Sequence, residues 1–80
     1  MIDYKEALAN IARAIVDNPD EVRVTEKEST SGAITLELSV APDDMGKVIG
    51  RQGRIAKEIR TVIRSYAQRT GEKVSVDIID

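Results

Sequence analysis

Residues 45–60 read MGKVIGRQGRIAKEIR, and this stretch decides the fold. Two glycines, Gly50 and Gly53, bracket two polar residues, with an apolar approach before them and a helical pattern after them. Glycine adopts a left-handed backbone conformation without steric cost, so the spacing predicts a helix, a tight turn and a second helix. Such a turn has little side-chain bulk, and the first amides of the next helix point unpaired beside it. The stretch therefore predicts a loop that binds phosphate.

The chain before this loop predicts one helix followed by a hairpin. Asp3 is a typical N-cap, and an apolar stripe with helical spacing then runs to about Val16. Residues 17–20, DNPD, end that helix because proline disfavours helical geometry in the residue before it. Apolar and polar residues alternate over 22–28 and over 34–40, with turn residues between the two segments. These patterns predict two antiparallel strands.

Around and after the loop, the pattern predicts two helices and a last strand. Pro42 suits the first position of a short helix, and Gly71 ends a longer one. Residues 74–78 alternate as a strand. The order α-β-β-α-α-β predicts an α+β fold in which helices cover one face of a three-stranded mixed sheet, the second and third strands being parallel. The apolar arc of the longer helix is predicted to contain Ile55, Ile59, Val62, Ile63 and Tyr66.

Length and composition favour one small intracellular domain. Eighty residues are enough for a single domain, residues 1–80. With no cysteine and no histidine, disulfides and metal sites built from those residues are excluded, and a reducing cytoplasm fits. Residues 1–6 have neither a basic segment nor an uninterrupted apolar run, so we expect no signal peptide and no membrane span.

Charge is segregated along the chain. Residues 46–73 carry eight basic and two acidic side chains, a net charge of +6, whereas the rest carry four basic and twelve acidic ones, a net charge of −8. A polyanion would meet the basic part. The alternative is that the two parts neutralise each other in the fold, which the asymmetry alone does not exclude.

The loop resembles a known RNA-binding signature. Residues 48–53, VIGRQG, are similar to the KH motif V-I-G-x-x-G-x-x-I, whose GxxG loop clamps about four single-stranded nucleotides. The last Ile of that motif would fall at position 56, where this chain has Ala56, with Ile55 one place earlier. The element order resembles a single type II KH domain. Residues 42–57 are similar to the KhpA family of small bacterial KH proteins.

Candidate contacts to RNA follow from the loop and its flanks. A charged helix face is most often simply solvated, so we weight basic residues by their closeness to the loop. The predicted RNA-binding residues are Lys47, Ile49, Gly50, Arg51, Gln52, Gly53, Arg54 and Lys57. An aliphatic groove for bases is predicted from Val48, Ile49, Ile55 and the last strand around Val74 to Val76. The only aromatic residues, Tyr4 and Tyr66, fall on apolar stripes and are predicted to be core residues.

The resemblance implies a cytoplasmic protein that binds single-stranded RNA, as an RNA chaperone or post-transcriptional regulator. It also implies a larger KhpB-like multidomain partner and a link to cell-envelope growth, cell-wall biogenesis and cell shape. No cofactor is expected, and we expect no enzyme, because nucleotide-binding loops are absent and Asp43 and Asp44 are best explained as a helix start. The alternative is an assembly module that forms a homodimer or docks a partner that makes most of the RNA contact.

Overall fold

The computed structural model describes residues 3–79, which form three helices and three strands in the predicted order. Residues 1, 2 and 80 lie outside this range, so the predicted domain limits of 1 and 80 are not described by the structure. No helix within residues 3–79 is both long and apolar enough to cross a bilayer. The elements are α1 (Tyr4–Ile15), β1 (Arg23–Glu28), β2 (Ile34–Ser39), α2 (Met45–Ile49), α3 (Arg54–Thr70) and β3 (Val74–Ile79).

Helix α1 begins and ends as its sequence predicts. The Asp3 carboxylate accepts a hydrogen bond of 3.1 Å from the Glu6 amide, which satisfies one of the free donors of the first turn. The helix ends at Ile15, ahead of a short 3₁₀ turn over Pro19–Glu21. Its buried stripe faces the sheet and packs into the core.

The sheet is three-stranded and mixed, in the order β1-β2-β3. Strand β1 is antiparallel to β2, and β2 is parallel to β3, which confirms the predicted topology. Alternate side chains of β2 are buried, namely Ile34, Leu36 and Leu38, while those between them are half-buried on the other face. The helices therefore cover the first of these faces.

The core face of α3 differs from the prediction at one position. Val62 is 40% exposed, so its assignment to the core is wrong. Successive residues of a helix are about 100° apart, so an arc centred between Ile59 and Ile63 leaves Val62 on its flank. The buried side chains of α3 are Ala56, Ile59, Ile63 and Ala67.

Tyr4 joins the start of α1 to the segment that follows α3. Its ring is buried, and its hydroxyl is 2.6 Å from Thr70 Oγ1 and donates to Glu72 Oε1 at 2.8 Å. The start of α1 is thereby tied to the end of α3. Tyr66 is half-buried and packs against the core, so neither aromatic ring offers a free face for stacking.

Candidate nucleic-acid interface

Residues 50–53 turn the chain sharply between α2 and α3. Gly50, Gln52 and Gly53 have φ angles of 76°, 58° and 74°, so three of the four loop residues lie in the region that favours glycine. The turn closes with a 3.2 Å hydrogen bond from the Gly53 amide to the Gly50 carbonyl. The prediction that the two glycines form a tight turn between two helices is therefore confirmed.

Gly50 is required for space as well as for backbone conformation. A Cβ atom at this position would lie 2.9 Å from both the backbone nitrogen and the Cβ of Ile55, closer than real atoms approach. A Cβ atom at Gly53 would have no neighbour within 4 Å. Ile55 thus packs under the first glycine, and the space beside the second glycine is open.

Basic side chains surround an open hollow at the loop. Arg51, Gln52 and Arg54 are exposed, and with Ile55 they line a cavity of about 400 Å³. No side chain in the part of the chain that the structure describes caps the first turn of α3, so the amides there have no such partner. The Gly53 and Arg54 amides donate to the Gly50 and Arg51 carbonyls instead. The positive end of the helix dipole and two guanidinium groups together suit an anion.

The basic residues farther along α3 fall into two groups. Lys57 is exposed and stands one turn from Arg54, as predicted. Arg60 is half-buried, and its Nε donates to the Val76 carbonyl oxygen at 3.1 Å. Arg60 therefore links α3 to β3, whereas Lys57 keeps its charge at the surface.

The aliphatic candidates are separated by burial. Ile49 is 37% exposed and Ile55 is half-buried, so both retain surface next to the loop. Val48 is completely buried and Val76 is 4% exposed, so their assignment to a base-binding groove is wrong. Both belong to the core, and Val74 is half-buried against it.

Lys47 is engaged by two carboxylates. Its ammonium group pairs with the Asp17 carboxylate and lies 3.7 Å from Asp44 Oδ1. The hydrogen bond to Asp17 raises the pKa of Lys47. Burial of the ammonium group acts in the opposite direction, and the negative charges of Asp17 and Asp44 raise the pKa further. Among the predicted RNA-binding residues, Lys47 is therefore the one whose charge is already balanced.

Asp44 is a residue of this region that the sequence interpretation missed. It is 1% exposed, and its carboxylate accepts hydrogen bonds from the Asp17 amide (3.2 Å), the Asn18 amide (3.0 Å) and Asn18 Nδ2 (3.0 Å). Burial alone would raise the pKa of Asp44, but these hydrogen bonds and Lys47 hold that pKa below its usual range. Its place in a 3₁₀ turn behind proline signals a helix start, and nothing local signals its distant partners.

Comparison with known proteins shows which family the chain belongs to. The family model described as KhpA/KhpB, KH domain, matches residues 5–78. The chain belongs to the KhpA/KhpB KH-domain family. The fold and the loop resemblance predicted from the sequence are thus confirmed.

Relatives within the KhpA/KhpB family match the chain over nearly its whole length. RNA-binding protein KhpA of Clostridium acetobutylicum is 56% identical over 94% of this chain and 99% of its own. RNA-binding protein KhpA of Halalkalibacterium halodurans is 50% identical over 95% and 99%. The corresponding protein of Listeria monocytogenes is 41% identical over the same shares.

Solved structures share the KhpA/KhpB fold within larger chains. A point variant of Era from Aquifex aeolicus, bound to GDP and aluminium fluoride, matches with a TM-score of 0.64 and 19% identity. The match covers 94% of this chain and 29% of that one. Era in complex with MgGDPNP and a segment of 16S ribosomal RNA matches with the same TM-score, over 28% of its chain. At this identity the likeness concerns the fold.

Proposed function

We propose that this protein binds single-stranded RNA through the loop at residues 50–53. The observation that carries the proposal is the uncapped start of α3, joined to a loop of positive φ angles and flanked by Arg51 and Arg54. The loop backbone and the positive end of α3 hold the RNA phosphates nearest the loop, while Gln52, Arg54 and Lys57 contact neighbouring ones. Lys47 also contacts a phosphate when that phosphate displaces the Asp17 carboxylate from its ammonium group.

Bases lie against the aliphatic surface next to the loop in this proposal. Ile49 and Ile55 supply that surface, since both keep exposed area there. A sheet face with stacking aromatics is absent within residues 3–79, and a KH groove needs none. The relatives named RNA-binding protein KhpA, and the Era chain solved with ribosomal RNA, support RNA as the ligand.

The cellular role that we propose rests on the family. The protein acts in the cytoplasm as an RNA chaperone or post-transcriptional regulator, together with a larger KhpB-like RNA-binding protein. Through that partner it is linked to cell-wall biogenesis and cell shape. A domain that holds about four nucleotides binds weakly alone, and a second RNA-binding domain raises affinity through effective concentration.

Reversing charge at the loop tests the proposal. Arg51 and Gln52 are exposed, so changing both to Asp should leave the fold and melting temperature intact while placing carboxylates where phosphates bind. Affinity for an unstructured RNA oligomer, measured by fluorescence anisotropy, should fall at least about tenfold. The matched control is Lys5→Asp with Asn10→Asp on the exposed face of α1, which changes charge equally. Equal affinities for the two double variants would refute the loop as the RNA site.

A second candidate function is an assembly module. It is favoured by Val62, an apolar side chain that is 40% exposed on α3. In that case the protein forms a homodimer or docks its partner, which makes most of the RNA contact. Sedimentation of Val62→Lys separates the two: a change in oligomeric state without loss of RNA affinity supports the assembly function.

A further inference from the structure

The Asp44 carboxylate lies one short helix away from the loop. Asp44 immediately precedes α2, which has five residues before Gly50. At about 1.5 Å per residue, α2 is roughly 8 Å long. Its only buried side chain is that of Val48. Half-buried Met45 also packs against the core. The helix that leads into the loop is therefore held by Val48 and Met45 within it and by Asp44 at its start.

Asp44 connects α2 to the segment that follows α1. Its Oδ1 accepts from the Asp17 amide, and its Oδ2 accepts from both the backbone and the side-chain amide of Asn18. These partners are 26 and 27 residues away along the chain. The carboxylate thus sets the distance between the end of α1 and the beginning of α2.

The energetics of a buried carboxylate make this connection specific. Within residues 3–79, Asp44 is the only buried polar or charged side chain. A buried charge is costly unless its hydrogen bonds are made, and an apolar residue would fill the same space at lower cost. Three donors on residues 17 and 18 satisfy the carboxylate, and the Lys47 ammonium lies 3.7 Å from Oδ1. Any shift of the α2 start would leave a buried charge underpaired.

We propose that Asp44 is a positioning residue for the RNA-binding loop. It holds the start of α2 against residues 17 and 18, so that α2 presents Gly50 and the loop in one place relative to α3. The inference rests on the proposed function for its effect on RNA, and on the contacts of the carboxylate for its effect on the loop.

The variant Asp44→Asn tests this role. Asparagine has nearly the same shape, but its NH₂ group would face a backbone N–H donor, so one of the three hydrogen bonds must break. We expect the backbone amide resonances of Gly50 and Gly53 to shift in NMR spectra. We also expect affinity for single-stranded RNA to fall about tenfold, the equivalent of one charge-assisted hydrogen bond. The matched control is Asp43→Asn, which removes the same charge from an exposed neighbour and should change neither readout.

A purely structural role would give a different result. If folded Asp44→Asn melts earlier but keeps the loop resonances and the RNA affinity, the positioning role is refuted. Should this variant fail to fold, Asn18→Ala removes a single hydrogen bond and should move the same two resonances by a smaller amount; unmoved resonances would again refute it. If the wild-type protein fails to bind the oligomer, the proposed function fails, while the resonances still decide whether Asp44 sets the loop.

Discussion

Gly53 and Gly71 have nearly the same backbone geometry at opposite ends of α3. Their φ and ψ angles are 74° and 14° for Gly53, and 75° and 12° for Gly71, and neither has a neighbour where a Cβ would stand. The left-handed conformation costs other residues about 1–2 kcal/mol. Substitutions at the two positions therefore share the cost in folding stability of a left-handed backbone, and only the one at Gly53 also obstructs the loop.

We expect Gly53→Ala and Gly71→Ala to lower the free energy of unfolding alike, by about 1 kcal/mol each. Only Gly53→Ala should weaken RNA binding, because its methyl group would occupy the open space where the RNA backbone approaches. Thermal melts and RNA titrations of both variants measure the two effects. Equal RNA affinities would mean that nothing approaches the loop at Gly53.

The buried carboxylate of Asp44 should make the free energy of unfolding depend on pH in the acid range. Despite its burial, the hydrogen bonds from Asn18 and Asp17 and the charge of Lys47 hold the pKa of Asp44 below its usual range in the folded protein. Their stabilising effect is therefore complete above the unfolded pKa and is lost as pH falls through the folded pKa. We expect the free energy of unfolding to fall more steeply between about pH 4 and pH 2 in the wild type than in Asp44→Asn. Urea titrations along this range measure the difference, since the other carboxylates are common to both proteins. If the free energy of unfolding fell equally with pH in the two proteins, the stabilising role of the ionised Asp44 would be contradicted.

At the scale of elements, α3 performs two tasks with neighbouring basic residues. Lys57 is exposed one turn from the loop, whereas Arg60 bonds the Val76 carbonyl of β3. The turn over 71–73 is short, so β3 runs back along α3 toward the loop. One charge is thus available to RNA, and the other holds the helix on the sheet.

The two tasks predict opposite effects of two alanine substitutions. With phosphate contacts from Arg51, Arg54 and Lys57, log affinity against log salt should have a slope of about −2, roughly a tenfold loss between about 50 and 200 mM. Lys57→Ala should flatten that slope by about 0.7 and leave stability unchanged. Arg60→Ala should keep the slope and lower the free energy of unfolding by about 1 kcal/mol. If Lys57→Ala instead lowered stability and Arg60→Ala flattened the salt slope, the roles assigned to the two residues would be refuted.

The elements themselves were largely predictable, and their partners were not. The stripe of α1, the alternation of β2 and Gly71 at the end of α3 are local signals that the structure confirms. The sequence around Asp44 predicts only a helix start, because the hydrogen-bond partners of its carboxylate lie on another segment. A five-residue helix such as α2 is too short for periodicity to tell whether Val48 or Ile49 faces the core.

At the scale of the whole molecule, a cluster of acidic side chains lies at the end of α3 opposite the loop. A cavity of about 760 Å³ past its C-terminus is lined by four acidic side chains, whereas the basic loop precedes its N-terminus. Seventeen residues of helix separate them by roughly 25 Å. The acidic residues of that cavity are Asp3, Glu26, Glu28 and Glu72.

Screening predicts when the acidic end matters to RNA. The Debye length is about 8 Å at 0.15 M salt and about 30 Å at 0.01 M. Glu26→Gln with Glu28→Gln should therefore leave RNA affinity unchanged at about 0.15 M and raise it at about 0.01 M. The control Glu58→Gln, beside Lys57, should raise affinity at both. An effect of the double variant at the higher salt would place RNA at the acidic end.

The loop geometry also has consequences for kinetics. The loop is short, its ends are fixed by two helices, and the Gly53 amide bonds the Gly50 carbonyl across it, so the loop has little to rearrange when RNA arrives. Encounters then proceed at rates set by diffusion and charge, and a grip on about four nucleotides releases quickly. Short residence times let one molecule visit many sites on a transcript without consuming nucleotide triphosphate. In the RNA chaperone role that we propose, the protein must free its RNA once a helix has re-paired, and such turnover serves that role better than tight binding.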